Sequence, residues 1–325
     1  VDRLEMWLGF GVLVTLVLVL DLAVFNRRAR ESSLKESIAW TTVCVLVSAL
    51  LGVMIWRTLG RTAGMEFFAG YLVEETLSVD NLFVFVLIFT SFKVPRIQQH
   101  RVLFWGVMGA LVMRGAMIGA GVYLIEVLHW IIYVFGAFLV LAGIRLFKAA
   151  ELAEIKPEDH PIIKLVRRYV PVASGEHGSR FFVRVPGPGG ILRWAATPLF
   201  VVLAMVETTD LMFAVDSIPA IFAVTRDPFI VYSSNVCAVL GLRALYFVLA
   251  HAVAGLRYLR PGLAAILLFV GMKMLLGEII EIPIGLSLAV ITGILALAVI
   301  ASFSRQARHE MARTRLGAHD DQAPS

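Results

Sequence analysis

Long apolar runs constrain this chain more than any other feature. Nine of them, at roughly 6–25, 38–59, 67–92, 102–125, 128–148, 197–224, 229–252, 262–280 and 283–303, have about the length that crosses ~30 Å of hydrocarbon. Within lipid a segment must satisfy its own backbone N–H and C=O groups, so such runs are helices. Composition points the same way. Of 325 residues, 59% are hydrophobic and only 16% are charged, whereas soluble domains carry about 25% charged residues. The reading is an all-α polytopic membrane protein of about nine transmembrane helices, with the lipid bilayer as its first partner. The first run is too long for a signal-peptide core and lacks a small-residue cleavage site before Asn26-Arg27-Arg28, so it is read as retained. Cys44 and Cys237 lie inside apolar runs and read as small buried hydrophobes, not as a disulfide framework.

The net charge of +5 could suggest nucleic acid, but the placement of the charges argues for topology instead. With nine spans, the connections after spans 1, 3, 5, 7 and 9 share one side. That side holds 22 of the 29 Lys and Arg residues; the other holds Arg3, Arg57, Arg61 and Arg226. Arg114, Arg243 and Lys273 lie within spans. Basic loops stay in the cytoplasm, so the N-terminus is expected outside and the C-terminus inside. No nucleic-acid partner is implied.

Spans 3–5 resemble spans 6–8. Glu74-Glu75-Thr76-Leu77-Ser78-Val79-Asp80-Asn81 matches Asp210-Leu211-Met212-Phe213-Ala214-Val215-Asp216-Ser217, with Glu74 over Asp210 and Asp80 over Asp216. Gly109 corresponds to Gly241, and Leu139, Gly143 and Arg145 correspond to Leu267, Gly271 and Lys273. Each copy has three spans, an odd number, so the copies run in opposite directions. Inverted repeats of this kind place a shared site near the midplane and suit alternating access. The expected organisation is transmembrane helices 1–2 over 1–66, a first three-helix repeat over 67–148, a cytoplasmic loop over 149–196, a second repeat over 197–280, a ninth helix over 281–304 and a disordered tail over 305–325. Within the loop, Glu151–Arg168 could form an amphipathic helix. Phe181–Val185 and Ile191–Trp194, around Pro186-Gly187-Pro188-Gly189-Gly190, predict a small β-hairpin.

A carboxylate near the bilayer midplane costs roughly 2.5–3.5 kcal/mol on insertion scales and is functional by default. Glu74, Asp80, Asn81, Glu207, Asp210 and Asp216 are therefore the candidate ligands, with Ser78, Thr209, Ser217, Pro219 and Lys273 in support. All the ligands are oxygen, which suits Mg²⁺, Ca²⁺ and Mn²⁺ alike; no thiol or imidazole argues for zinc or copper. In a regular helix Glu74, Ser78 and Asn81 share a face, as do Asp210 and Ser217. Asp80 lies about 240° from Glu74. A break near Val215–Ile218, caused by Pro219, would bring Asp210 and Asp216 together. The competing reading makes the carboxylates structural partners of Arg114, Arg243 and Lys273. Arg145 and Lys273 could also be tethered counter-charges in a transport cycle. Asp21, near Arg27 and Arg28, reads as a helix-end or salt-bridge residue.

Leu77-Ser78-Val79-Asp80-Asn81 and the run from Glu207 through Asp216-Ser217-Ile218-Pro219-Ala220 resemble the paired motifs of the TerC family of integral membrane proteins. Arg101–Gly106, Asp227–Val231, Gly241–Tyr246 and Gly271–Leu275 match as well, and the resemblance extends from about Asp21 to Gly277. It implies export of Mn²⁺ across a bacterial cytoplasmic membrane. No chemistry for tellurite reduction is visible, and an acidic site would repel an oxyanion. The expected function is a secondary transporter of Mn²⁺ or another hard divalent cation, with protons as a coupling ion, no resident cofactor and no enzymatic activity. The alternative is a membrane assembly protein acting through residues 149–196.

Overall fold

The computed structural model describes residues 3–26, 33–128, 130–148, 171–173, 175, 178–186, 192–252, 259–277, 279, 282–298 and 300–301. They form α1 (Arg3–Asn26), α2 (Leu34–Leu59), α3 (Arg61–Ser91), α4 (Arg96–Val127), α5 (Ile131–Lys148), β1 (Phe182–Pro186), β2 (Leu192–Ala196), α6 (Pro198–Phe222), α7 (Pro228–Ala252) and α8 (Leu259–Leu275). A shorter apolar helix, α9 (Ile284–Ala298), follows. The expected helix over 151–168 and the tail over 305–325 lie outside the described residues.

Among the described residues six helices, α1, α2, α4, α5, α6 and α7, are long and apolar enough to cross a membrane. At 31 residues α3 has the length too, but it carries Glu74, Glu75 and Asp80 in close succession. Several helices overrun the apolar runs. Residues 61–66 and 96–101, for example, are already helical, because hydropathy marks what the hydrocarbon can hold and not where backbone hydrogen bonding stops.

Local chemistry sets the helix ends. Ser33 and Glu36 form a reciprocal capping box at the start of α2. Gly60 adopts φ +96°, a left-handed conformation that side chains resist, and joins α2 directly to α3. Thr197 caps α6: its hydroxyl accepts from Phe200 N–H at 3.4 Å and donates to Arg180 O at 2.7 Å. Asp227 accepts from Phe229 N–H at 2.9 Å, with Pro228 at the first position of α7.

The expected hairpin forms as antiparallel β1 and β2, with Arg184 opposite Trp194 and its guanidinium 4.9 Å from the indole centroid. Thr197 N–H donates to Phe181 O, which fixes the hairpin to the start of α6.

In the helical bundle α3 packs on α7, and α4 packs on α6 and α7. The closest pairing is α5 with α8. Glycines make it possible: a Cβ on Gly143 would fall 3.0 Å from Ala264 O, and one on Gly271 would fall 2.8 Å from Gly136 O. The outer helices α1 and α2 lean on α7. There Asp21 meets Arg243 at 2.6 Å, both buried. The partner of Asp21 is thus the distant Arg243 on a packed helix; Arg27 and Arg28, the neighbours expected from sequence, lie outside the described residues.

Candidate functional site

Four helices bring one polar side chain each to a buried point. Arg114 of α4 is fully buried, as are Glu74 of α3 and Asn235 of α7, while Asp210 of α6 is 3% exposed. Arg114 holds Asp210 in a two-pronged contact, Nη2 to Oδ1 at 2.9 Å and Nε to Oδ2 at 3.3 Å. Its Nη1 pairs with Glu74 Oε1 and donates to Asn235 Oδ1 at 3.2 Å. Asn235 Nδ2 in turn donates to Glu74 Oε2 at 3.0 Å. A planar guanidinium suits this geometry, since it can bind a carboxylate through two parallel bonds and still serve a second acceptor. When all are ionised, one positive charge faces two negative charges.

Two buried hydroxyls on the helices that carry Glu74 and Asp210 behave unlike most others. Ser48, Thr76, Thr90 and Thr208 each donate to the carbonyl four residues back, the usual outlet for a hydroxyl in a helix. Ser78 and Ser217, 0% and 1% exposed, have no hydrogen-bond partner among the described residues. Ser78 lies one turn after Glu74, and Ser217 two turns after Asp210, on the same faces as those carboxylates. A buried orphan hydroxyl is costly.

The remaining candidates are distributed around the knot. The Glu207 carboxylate lies against Gly109 of α4, in space that a Cβ on that glycine would occupy. Asn81 and Asp216 line a cavity of about 410 Å³ with Arg145 and the apolar Leu77, Phe138 and Phe213. Lys273 lines a second cavity of about 480 Å³ with Glu66, Thr225 and Arg226, where Thr225 donates to Glu66 Oε2 at 2.6 Å. Thr209 is half-buried. Asp80 continues α3, but its side chain lies outside the described residues. Among the described residues, no three His, Cys, Asp or Glu side chains come together as a ligand set.

The reason for this distribution is that α6 does not break. It runs unbroken from Pro198 to Phe222 with Pro219 inside it. This corrects the expected interruption near Val215–Ile218. Pro219 sits in the last turn, where its missing N–H removes only one intrahelical bond, and the ring is buried. The six-residue spacing therefore keeps Asp210 and Asp216 about 240° apart.

Asn235 and Glu66 were not among the sequence candidates. Asn235 had a signal in Ser233-Ser234-Asn235, a polar triplet within an apolar run. Glu66 had little, because it precedes the run beginning at 67.

The sequence profile of the integral membrane protein TerC family matches residues 59–310. A Myxococcus xanthus relative, the uncharacterized membrane protein STKORF319, is 45% identical over 304 residues, covering 94% of this chain and 93% of the relative. A second, from Escherichia coli K12, bears the provisional description of membrane-bound redox modulator Alx. It is 43% identical over 317 residues, covering 95% and 97% of the two chains. An uncharacterized membrane protein of Rickettsia bellii is 37% identical over 300 residues, covering 92% and 97%. No solved structure gives a significant match.

Proposed function

Because the chain belongs to the integral membrane protein TerC family, we propose that it is a secondary transporter, and not an enzyme, that exports hard divalent cations, Mn²⁺ foremost, from the bacterial cytoplasm. Its carboxylates within the membrane form the path, and protons are the coupling ion. One observation carries the reading. Glu74 and Asp210, equivalent positions in the two sequence copies, reach one buried point from α3 and α6, and the orphan hydroxyl of Ser78 lies one turn from Glu74. Buried acid that is only partly neutralised, with oxygen ligands left over, fits a hard cation in transit.

The reading includes nine spans and the inverted repeat. Support for the repeat comes from α5 and α8. A Cβ on Gly143 would meet Ala264 O and Leu268 N, and one on Gly271 would meet Gly136 O and Val140 N. Setting Gly143 over Gly271 maps each contact onto the other, as a two-fold axis in the membrane plane requires. The excess of Lys and Arg on one side supports an outside N-terminus and a cytoplasmic C-terminus, and the bacterial relatives support a cytoplasmic-membrane location.

A second reading, modulation of redox state, draws on the description of Alx and on two buried thiols. Cys44 of α2 lies beside Gly241, one turn after Cys237 of α7.

Purified protein in liposomes with an internal Mn²⁺ indicator separates these readings. Transport predicts saturable entry that falls more than tenfold in Asp216→Asn and is unchanged in the Cys44→Ser, Cys237→Ser double variant. Ca²⁺ and Mg²⁺ as competitors rank the ions. Folded protein without flux, with or without a pH gradient, would sink the transport reading.

A further inference from the structure

We propose that Glu74, Asp210 and Asn235 form a cation site whose resident occupant is the guanidinium of Arg114, and that the transported ion and Arg114 displace one another from it. This rests on the transport reading and adds to it a residue that the ligand candidates do not include.

Geometry makes the two occupants exclusive. The guanidinium nitrogens lie 2.9 Å and 3.3 Å from the two oxygens of Asp210 and also engage Glu74. A divalent ion bound to the same oxygens would sit roughly 2.0–2.6 Å from them, inside the volume that the guanidinium fills. Asn235 can serve either occupant, because its Oδ1 now accepts from Arg114 and would equally ligate a metal.

Charge lets either cation occupy the site. Arg114 neutralises one of the two carboxylate charges, whereas a divalent ion neutralises both. A buried carboxylate pair with neither occupant would be strongly penalised, so an emptied site would draw Arg114 back. A tethered cation thus gives a carrier an ion-free form that is stable enough to return across the membrane.

A second, independent observation is an unsatisfied oxygen on the helix that carries Glu74. Ser78 and Ser217, on the faces of Glu74 and Asp210, are buried and have no partner among the described residues. In a purely structural ion-pair network these hydroxyls would be expected to back-bond, as Thr76 and Thr208 do. The Ser78 hydroxyl, one turn from Glu74, is available to an ion that has displaced the guanidinium, whereas Ser217, about 10 Å along α6 from Asp210, lies beyond direct contact with that ion.

The test uses the full-length protein in lipid nanodiscs and in liposomes. Arg114→Lys keeps the positive charge but cannot span both carboxylates with a rigid fork. The proposal expects it to bind Mn²⁺ at least fivefold more tightly than the parent chain, with thermal stabilisation by Mn²⁺ to match. Arg114→Met removes the competitor. It is expected to fold best in the presence of Mn²⁺, to bind tighter still, and to lose flux at least tenfold because the return step is blocked. A merely structural Arg114 predicts weaker Mn²⁺ binding, or no change, in both variants. Either result in Arg114→Lys, alongside normal flux in the parent chain, would overturn the proposal and leave the transport reading standing. Absence of Mn²⁺ binding and flux in the parent chain would overturn both.

Discussion

At the scale of single residues, the site is shaped as much by what is missing as by what is present. Gly109 has no side chain, and the Glu207 carboxylate rests in that space. Gly109→Ala would push on the far end of a flexible side chain, which can move at small cost. Melting temperature should therefore shift by only a few degrees, while Mn²⁺ flux falls severalfold because Glu207 is re-aimed. Wild-type flux in this variant would remove Glu207 from the path. The acidic residues were legible in the sequence, because carboxylates inside apolar runs stand out. Their partners were less so. Arg114 could be named as a counter-charge, but nothing in the one-dimensional pattern selects Glu74 and Asp210 over the other acids as the pair it holds. Asn235 hid because a neutral amide in a span attracts less notice than a charge.

At the scale of elements, hydropathy found the helices and misjudged their ends. Apolar runs report immersion, so the polar starts of α3 and α4 at Arg61 and Arg96 fell outside the expected spans. The hairpin was legible because turn-forming Pro and Gly separate two β-prone stretches, and β1 and β2 form there. The expected break in α6 did not form. A proline can end a helix, but at Pro219, close to the natural end at Phe222, the helix tolerates it. Helix pairing was legible only through glycine, and the α5–α8 seam tests that reading. Gly271→Leu would drive a large side chain toward Gly136 O and Val140 N. Backbone cannot yield there as a flexible side chain can, so the cost should be about 1–3 kcal/mol. Thermal unfolding in detergent or nanodiscs would show it as a clear loss of melting temperature. An unchanged melting temperature would mean that the seam is looser than the described contacts.

At the scale of the whole molecule, α3 and α4 each pack on α6 and α7, and α5 packs on α8 along its glycine seam. The Arg114 knot lies where the first contact gathers four helices. The two cavities, one with Asn81, Arg145 and Asp216 and the other with Glu66, Arg226 and Lys273, share walls from α3, α5, α6 and α8 but lie at different levels along those helices. Such an arrangement suits a carrier that closes around its ion and opens to one side at a time. Counterflow tests that claim most directly. Liposomes containing the protein are loaded with unlabelled Mn²⁺ and diluted into trace labelled Mn²⁺. A carrier exchanges one for the other, so labelled Mn²⁺ should rise transiently above its equilibrium level, and the overshoot should vanish in Asp216→Asn. Monotonic entry without overshoot, or no entry at all in folded protein, would contradict the account.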